Sequence, residues 1–102
     1  VVPEYNAGYP GVLKNALDLL YVEWNGKPIG FVGYSGGPSG GNFAITSLQP
    51  VMDELKMVPV ETVIKIPTVW KALDAQGNLI DTTIATSLNT MVDAIIKNVS
   101  AQ

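Results

Sequence analysis

Two short segments concentrate the residue types that can do chemistry: Pro3-Glu4-Tyr5-Asn6-Ala7-Gly8-Tyr9-Pro10-Gly11 and Gly33-Tyr34-Ser35-Gly36-Gly37-Pro38-Ser39-Gly40-Gly41. The second contains G-x-S-x-G at Gly33 to Gly37, the pattern in which a serine nucleophile sits on a sharp strand-to-helix turn. A serine at its ordinary pKa is a weak nucleophile and needs a positioned base, for which histidine is the usual choice. The chain has no histidine, and hydrolases built this way place the acid and the histidine after the serine. A serine hydrolase therefore stays only as a remote alternative. The absence of cysteine removes thiolate nucleophiles, thiolate metal ligands and disulfides as well. No catalytic side chain and no metal site is expected.

The glycine-rich segment fits neither G-x-G-x-x-G nor G-x-x-x-x-G-K-[ST], so it carries no dinucleotide or Walker fingerprint. Its five glycines in nine residues let the backbone come close to a flat ligand with N–H groups free to donate. A flexible crossover without a ligand is the alternative that composition leaves open.

The elements that must position these loops follow from hydrophobic spacing. Val1-Val2-Pro3 has no initiator Met and reads as the end of an apolar strand, so a preceding segment is expected. Pro10 suits a first helical turn, and Val12, Leu13, Ala16, Leu17 and Leu20 predict a helix of about three turns. Asn25-Gly26 signals a turn. The continuous apolar run Ile29-Gly30-Phe31-Val32-Gly33 predicts a central parallel strand buried on both faces. Ala44, Ile45, Leu48, Val51, Met52 and Leu55 predict a second helix, with Pro50 expected to kink it.

Val58 to Ile66 alternates, with Val60, Thr62, Ile64 and Ile66 on one side and Glu61 and Lys65 on the other, as an edge strand does. After Pro67, the stretch Asp74 to Asn78 reads as a turn. Asp81 or Thr82 can then cap a last helix striped by Ile84, Leu88, Met91, Val92, Ile95, Ile96 and Val99. Strand end, helix, strand, helix, strand, helix predicts an α/β fold with a parallel sheet and helices on both faces. Each of the two loops then lies at the carboxyl end of a strand, where open α/β sheets bind ligands. The strand outside the first stub is missing from this order, so an apolar sheet edge should stand open.

Composition narrows the possible partners. The chain has 102 residues, 47% of them hydrophobic and 15% charged, which suits one compact domain with a single core. Six basic against nine acidic residues give a net charge of -3, with no basic run to track a phosphate backbone, so no nucleic-acid partner is expected. No apolar stretch approaches the roughly 20 residues of a membrane span. With no basic-then-apolar leader either, a cytoplasmic location is expected, and the triplet Asn98-Val99-Ser100 reads as a chance glycosylation match.

Pro3-Glu4-Tyr5-Asn6, followed by Pro10-Gly11-Val12-Leu13-Lys14-Asn15-Ala16-Leu17-Asp18, closely resembles the PEYN…PGxLKNALD signature of the NADPH-dependent FMN reductase family. Gly26-Lys27-Pro28, the Gly33 to Gly41 loop, Pro50, Ile66-Pro67 and the Asp74 to Asp81 segment look like that family in the same order, so the resemblance runs over essentially the whole chain. It implies a flavodoxin-like three-layer α/β/α domain, of which residues 1–102 would be the C-terminal portion, with the N-terminal strands missing from this chain. It also implies FMN as cofactor and NADPH or NADH as co-substrate. Electrons would pass to free flavin, quinone, azo or metal-oxyanion acceptors, in a homodimer or homotetramer.

Carried over residue by residue, the resemblance places Pro3, Glu4, Tyr5 and Asn6 along the isoalloxazine. Tyr5 would contact the ring and Asn6 would donate hydrogen bonds. Ser35, Gly36 and Gly37 fall near its pyrimidine edge. On the residues alone, Tyr5 fits a loop aromatic packed on the adjacent helix better than a cofactor contact, and Asn6 fits an Asx-turn as well. Lys14 and Asp18, at i and i+4, fit a helix-surface pair or a subunit contact, and Trp24 and Trp70 fit anchors or interface residues outside the site. The family's serine- and arginine-containing phosphate loop has no counterpart here, so this chain alone is expected to bind FMN weakly or not at all. The alternative to a reductase is a non-catalytic half-domain that acts by assembling with its missing half.

Overall fold

A computed structural model describes residues 1–101 and orders them as an open α/β sheet with helices on both faces. Strand β1 (Val2–Pro3) is followed by helix α1 (Gly11–Leu17), β2 (Pro28–Tyr34), α2 (Asn42–Glu54), β3 (Val58–Ile66) and α3 (Thr82–Ser100), with single 3-10 turns at Val22–Trp24 and Val69–Lys71. The sheet order is β1-β2-β3 and every pairing is parallel. The run from Ile29 to Gly33 is thus the central strand, as its lack of alternation predicts. The register pairs Val2 with Gly33 and Pro3 with Tyr34, while β3 runs alongside β2 from Pro28↔Val58 to Tyr34↔Ile66 with one irregularity between Ile29 and Phe31. Among the described residues, β1 pairs with β2 only at Gly33 and Tyr34.

Side-chain alternation on β2 divides the core into two. Phe31 faces Ala44, Ile45, Leu48 and Met52 of α2 together with Val2, and Leu13, Leu17 and Ile29 pack around that cluster. Val32 turns the other way, toward Val60 and Ile64 of β3 and Leu88, Met91 and Ile95 of α3. The bare Cα of Gly30 lets Met91 lie directly on the strand, since a Cβ there would sit 2.5 Å from the Met91 sulfur. Each fully buried Phe, Leu, Ile or Met contributes about 1.5–3 kcal/mol.

Helix α1 is shorter than its apolar pattern predicts. Leu19 N bonds to Ala16 O and Leu20 N to Leu17 O, tightening the last turn into i→i−3 bonds, and the indole Nε1 of Trp24 donates to Leu17 O at 3.0 Å. That indole occupies a carbonyl the next helical turn would need, so the helix stops. Only Leu13 and Leu17 pack on the core, whereas Val12, Ala16 and Leu20 are exposed. Pro10 is the N-cap, one position earlier than expected. Helix α2 runs without interruption through the exposed Pro50. The α3 stripe is also narrower than its sequence pattern: Ile84, Leu88, Met91 and Ile95 reach the core, but Val92, Ile96 and Val99 do not. Asp81 caps that helix, accepting from Thr83 N at 3.0 Å and Thr83 Oγ1 at 2.6 Å. Asp74 closes the following turn's loop by accepting from the amides of Gln76 and Asn78, each at 2.9 Å.

Candidate functional site

Because all three strands are parallel, the chain leaves them at the same rim, and the segments after Pro3, Tyr34 and Ile66 meet there. Glu4 N donates to Tyr34 O at 3.0 Å, Ser35 N to Ile66 O at 3.2 Å and Val69 N to Ser35 O at 2.9 Å. These bonds continue the β ladder beyond the strand ends and fix the three loops against one another. The two segments singled out in the sequence therefore lie side by side.

The first loop is a tight reversal. Tyr5 N donates to Gly8 O at 2.9 Å and Gly8 N to Tyr5 O at 3.0 Å, with Asn6 (φ 49°) and Ala7 (φ 62°) both at positive φ between them. Positive φ at both central positions is what a type I′ turn requires. Asparagine tolerates it, but alanine does so at a cost of about 1–2 kcal/mol. The turn is closed by main-chain bonds, and among the described residues the Asn6 side chain has no intrachain partner, so it does not form an Asx-turn. Tyr5 is 60% exposed and is not packed on the adjacent helix core, where Tyr9 lies instead.

Glu4 joins the loops. One carboxylate oxygen accepts from Ser39 Oγ at 2.7 Å and the other from Phe43 N at 3.0 Å. Phe43 is in the first turn of α2, whose unpaired amides and dipole favour a negative charge. Ser35 is equally occupied: buried at 7% exposure, its hydroxyl donates to Gly37 O at 2.8 Å and accepts from Gly40 N at 2.8 Å. With its proton donated to a carbonyl and no histidine in the chain, the hydroxyl is placed as a loop brace, and nothing among the described residues sets the G-x-S-x-G serine up as a nucleophile.

The bend depends on glycine where α2 begins. Gly41 is the N-cap at φ 88°, and a Cβ there would stand 2.6 Å from Gly33 Cα and from Tyr34 N, both backbone atoms that cannot move aside. At Gly37 a Cβ would meet nothing within 4 Å, so that face of the loop is open.

Of the seven residues the sequence singles out, Pro3 ends β1 and aligns the loop, Glu4 and Ser35 brace it, and Tyr5, Asn6, Gly36 and Gly37 remain available to a ligand. Among the described residues, the amides of Asn6, Gly36 and Gly37 have no intrachain acceptor. Three N–H donors and one exposed aromatic around an open glycine bend fit the ring of a flat heteroaromatic group such as a flavin. No phosphate-binding loop with serine and arginine is present to fit the other end of an FMN molecule.

One residue that sequence reasoning placed elsewhere also sits at the rim. Trp70, in the 3-10 turn Val69–Lys71, lies over Gly36: a Cβ on Gly36 would be 2.7 Å from the indole Cη2. A lone loop aromatic has no periodicity to reveal it, and the only signal is its place just after Ile66-Pro67. The remaining features lie away from this rim. A groove of about 400 Å³ is lined by Lys14, Asp18, Leu20, Tyr21, Val51 and Glu54 near the opposite end of α2. There Lys14 Nζ meets Asp18 Oδ2 at 2.8 Å, the hydrogen bond that holds the ammonium pKa above its ordinary value. No group of acidic, His or Cys side chains among the described residues can hold a metal, and no helix among them is long and apolar enough to cross a membrane. Asn98 lies inside α3 with its amide donated to Ala94 O at 2.8 Å.

Comparison with known proteins gives the arrangement a family. An NAD(P)H-dependent FMN reductase of Schizosaccharomyces pombe is 58% identical over 57 residues, covering 56% of this chain and 28% of that protein. A 2-hydroxy-1,4-benzoquinone reductase of a Burkholderia species is 37% identical over 101 residues, covering 91% of this chain and 54% of that one. Among solved structures, FerB, a flavoenzyme NAD(P)H:(acceptor) oxidoreductase from Paracoccus denitrificans, superposes with a TM-score of 0.76 at 31% identity, over 95% of this chain and 59% of its own. The chain thus spans from about a quarter to three fifths of the length of these relatives. Its flavodoxin-like α/β/α architecture matches that of FerB. With the family model matching residues 1–71, which include both loops and Trp70, the chain belongs to the NADPH-dependent FMN reductase family.

Proposed function

We propose that the protein containing this chain is an FMN-dependent oxidoreductase that takes electrons from NAD(P)H and passes them to a small acceptor, and that residues 1–102 are the C-terminal portion of its single flavin-binding domain. The observation that carries this reading is the rim itself. Two loops joined through Glu4 leave the amides of Asn6, Gly36 and Gly37 without an intrachain acceptor among the described residues, with Tyr5 exposed on the first loop.

When bound, FMN supplies the redox chemistry, accepting hydride from the nicotinamide and releasing electrons to the acceptor. The chain's own residues have the simpler tasks of holding and orienting the ring. The amides of Gly36 and Gly37 would donate to the ring, Asn6 would add a donor from the adjoining loop, and Tyr5 would contact the ring. Glu4 and Ser35 keep these donors in register, so that no rearrangement is needed on binding. None of these roles requires a side chain to exchange a proton, which suits a chain without histidine or cysteine.

The acceptor class is read from the Burkholderia relative, whose name specifies a quinone. Exposed Leu20 and Tyr21, which line the α1–α2 groove, support assembly as a homodimer or homotetramer. Absorbance of the purified intact protein tests the reading. The two visible bands of bound flavin, bleached by NAD(P)H and restored by a quinone, are the expected result. A colourless protein that takes up no added FMN contradicts it.

A further inference from the structure

We infer that Trp70 is a specificity-determining residue of this site, whose indole forms the platform on which a planar, electron-poor acceptor ring of the quinone class stacks beside the flavin. The inference rests on the reductase reading and adds a residue to it.

Trp70 is 70% exposed, yet it is not a loosely tethered surface aromatic. Val69 N is bonded to Ser35 O at 2.9 Å and Thr68 N to Gly37 O at 3.0 Å, so the peptide units before the tryptophan are attached to both ends of the Ser35–Gly37 bend. Thr68 adopts φ 45°, a left-handed conformation that a threonine takes only against resistance, and this redirects the chain onto the bend. The benzo edge of the indole then rests on Gly36, within 2.8 Å of where a Cβ would project at both Cη2 and Cζ3. Gly36 is not one of the positive-φ glycines, so contact with the indole, and not a left-handed turn, is what favours a small residue there.

One edge of the ring is therefore held in place while most of its surface faces water at the ligand rim. Leaving that much apolar area exposed forgoes about 25 cal/mol for each Å² that burial would remove from water. An electron-rich indole favours stacking on an electron-poor ring, with aromatic pairs contributing beyond their buried area. Tyr5, on the adjoining loop, is exposed as well.

The test uses the intact, flavin-loaded protein and a soluble probe, 1,4-naphthoquinone-2-sulfonate, titrated by calorimetry. Trp70→Ala should weaken probe binding about three- to tenfold, and Trp70→Phe should keep it within about twofold. FMN affinity, measured separately by flavin fluorescence, should be unchanged in both. Gly36→Ala supplies a variant that retains the indole but pushes it off the bend, and should weaken the probe to a similar extent. Equal probe affinity in wild type and Trp70→Ala overturns the inference. Loss of FMN affinity in Trp70→Ala, in step with the loss of probe, also overturns it, because the indole would then be supporting the flavin and not the acceptor. A wild-type protein that binds no FMN at all refutes the reductase reading itself, a result distinguishable from either of these.

Discussion

The carboxylate of Glu4 accepts a 2.7 Å hydrogen bond from Ser39 Oγ, joining residues 35 positions apart and tying the two loops of the site into one unit. Its second oxygen receives Phe43 N at the start of α2, so a single side chain sets the loop-to-loop and loop-to-helix distances together. Glu4→Ala should lower stability by about 1–3 kcal/mol, because hydrogen bonds to a charged acceptor are lost and the Phe43 amide is left without one. Glu4→Gln, which keeps one acceptor oxygen, should cost less. Urea denaturation midpoints at constant m-value check both, and equal midpoints for wild type and Glu4→Ala would contradict the bracing role.

Ser35 makes the complementary prediction within its own loop. Ser35→Ala removes the acceptor of Gly40 N and the donor to Gly37 O in a buried setting, and should destabilise by about 1–3 kcal/mol. The wild-type protein should show no turnover of p-nitrophenyl acetate above the rate of a Ser35→Ala control. Serine-dependent ester hydrolysis would revive the nucleophile reading.

The turn at Asn6-Ala7 holds strain that can be measured. Ala7→Gly should leave stability unchanged or raise it by up to about 1 kcal/mol, relief of the left-handed backbone being offset in part by the freer unfolded chain. Ala7→Val, branched at Cβ, should lower it by more than about 1 kcal/mol. A thermal melt in which valine is tolerated as well as glycine would show that the residue does not occupy that conformation.

Asp81 sets an acid limb on stability. The Thr83 hydroxyl, and after it the Thr83 amide, hold its carboxyl below the ordinary aspartate range. A depressed folded-state pKa means that the contribution is fully present above the unfolded-state value and is lost as the pH falls through the lower, folded-state one. Wild type should therefore lose stability on that descent, and Asp81→Asn should lose less over the same interval. Parallel pH–stability curves for the two proteins would contradict the cap.

The parts of this fold that sequence reasoning reaches are those with a period. The unalternating run Ile29 to Gly33 identifies the central strand because both its faces are covered, and Ile84, Leu88, Met91 and Ile95 identify α3 because one face is. Where a contact from outside the repeat decides, the pattern misleads: α1 ends at Leu17 because Trp24, seven residues later, takes that carbonyl. The site divides in the same way. Its two loops are legible from motif and glycine content, whereas the roles of Glu4 and Ser35 as braces depend on partners that only the folded chain brings near. Trp70 is invisible beforehand because its contact with Gly36 joins two loops without any repeating pattern.

The central claim is that the Tyr5–Gly8 turn and the Ser35–Gly37 bend together receive a flavin ring. Titrating the isotope-labelled intact protein with FMN and following backbone amide chemical shifts tests it most directly. The amides of Asn6, Gly36 and Gly37 should shift together along one saturable curve, while those of Lys14, Val51 and Glu54 at the far groove stay still. Shifts confined to that groove, or shifts in one loop without the other, would contradict the account.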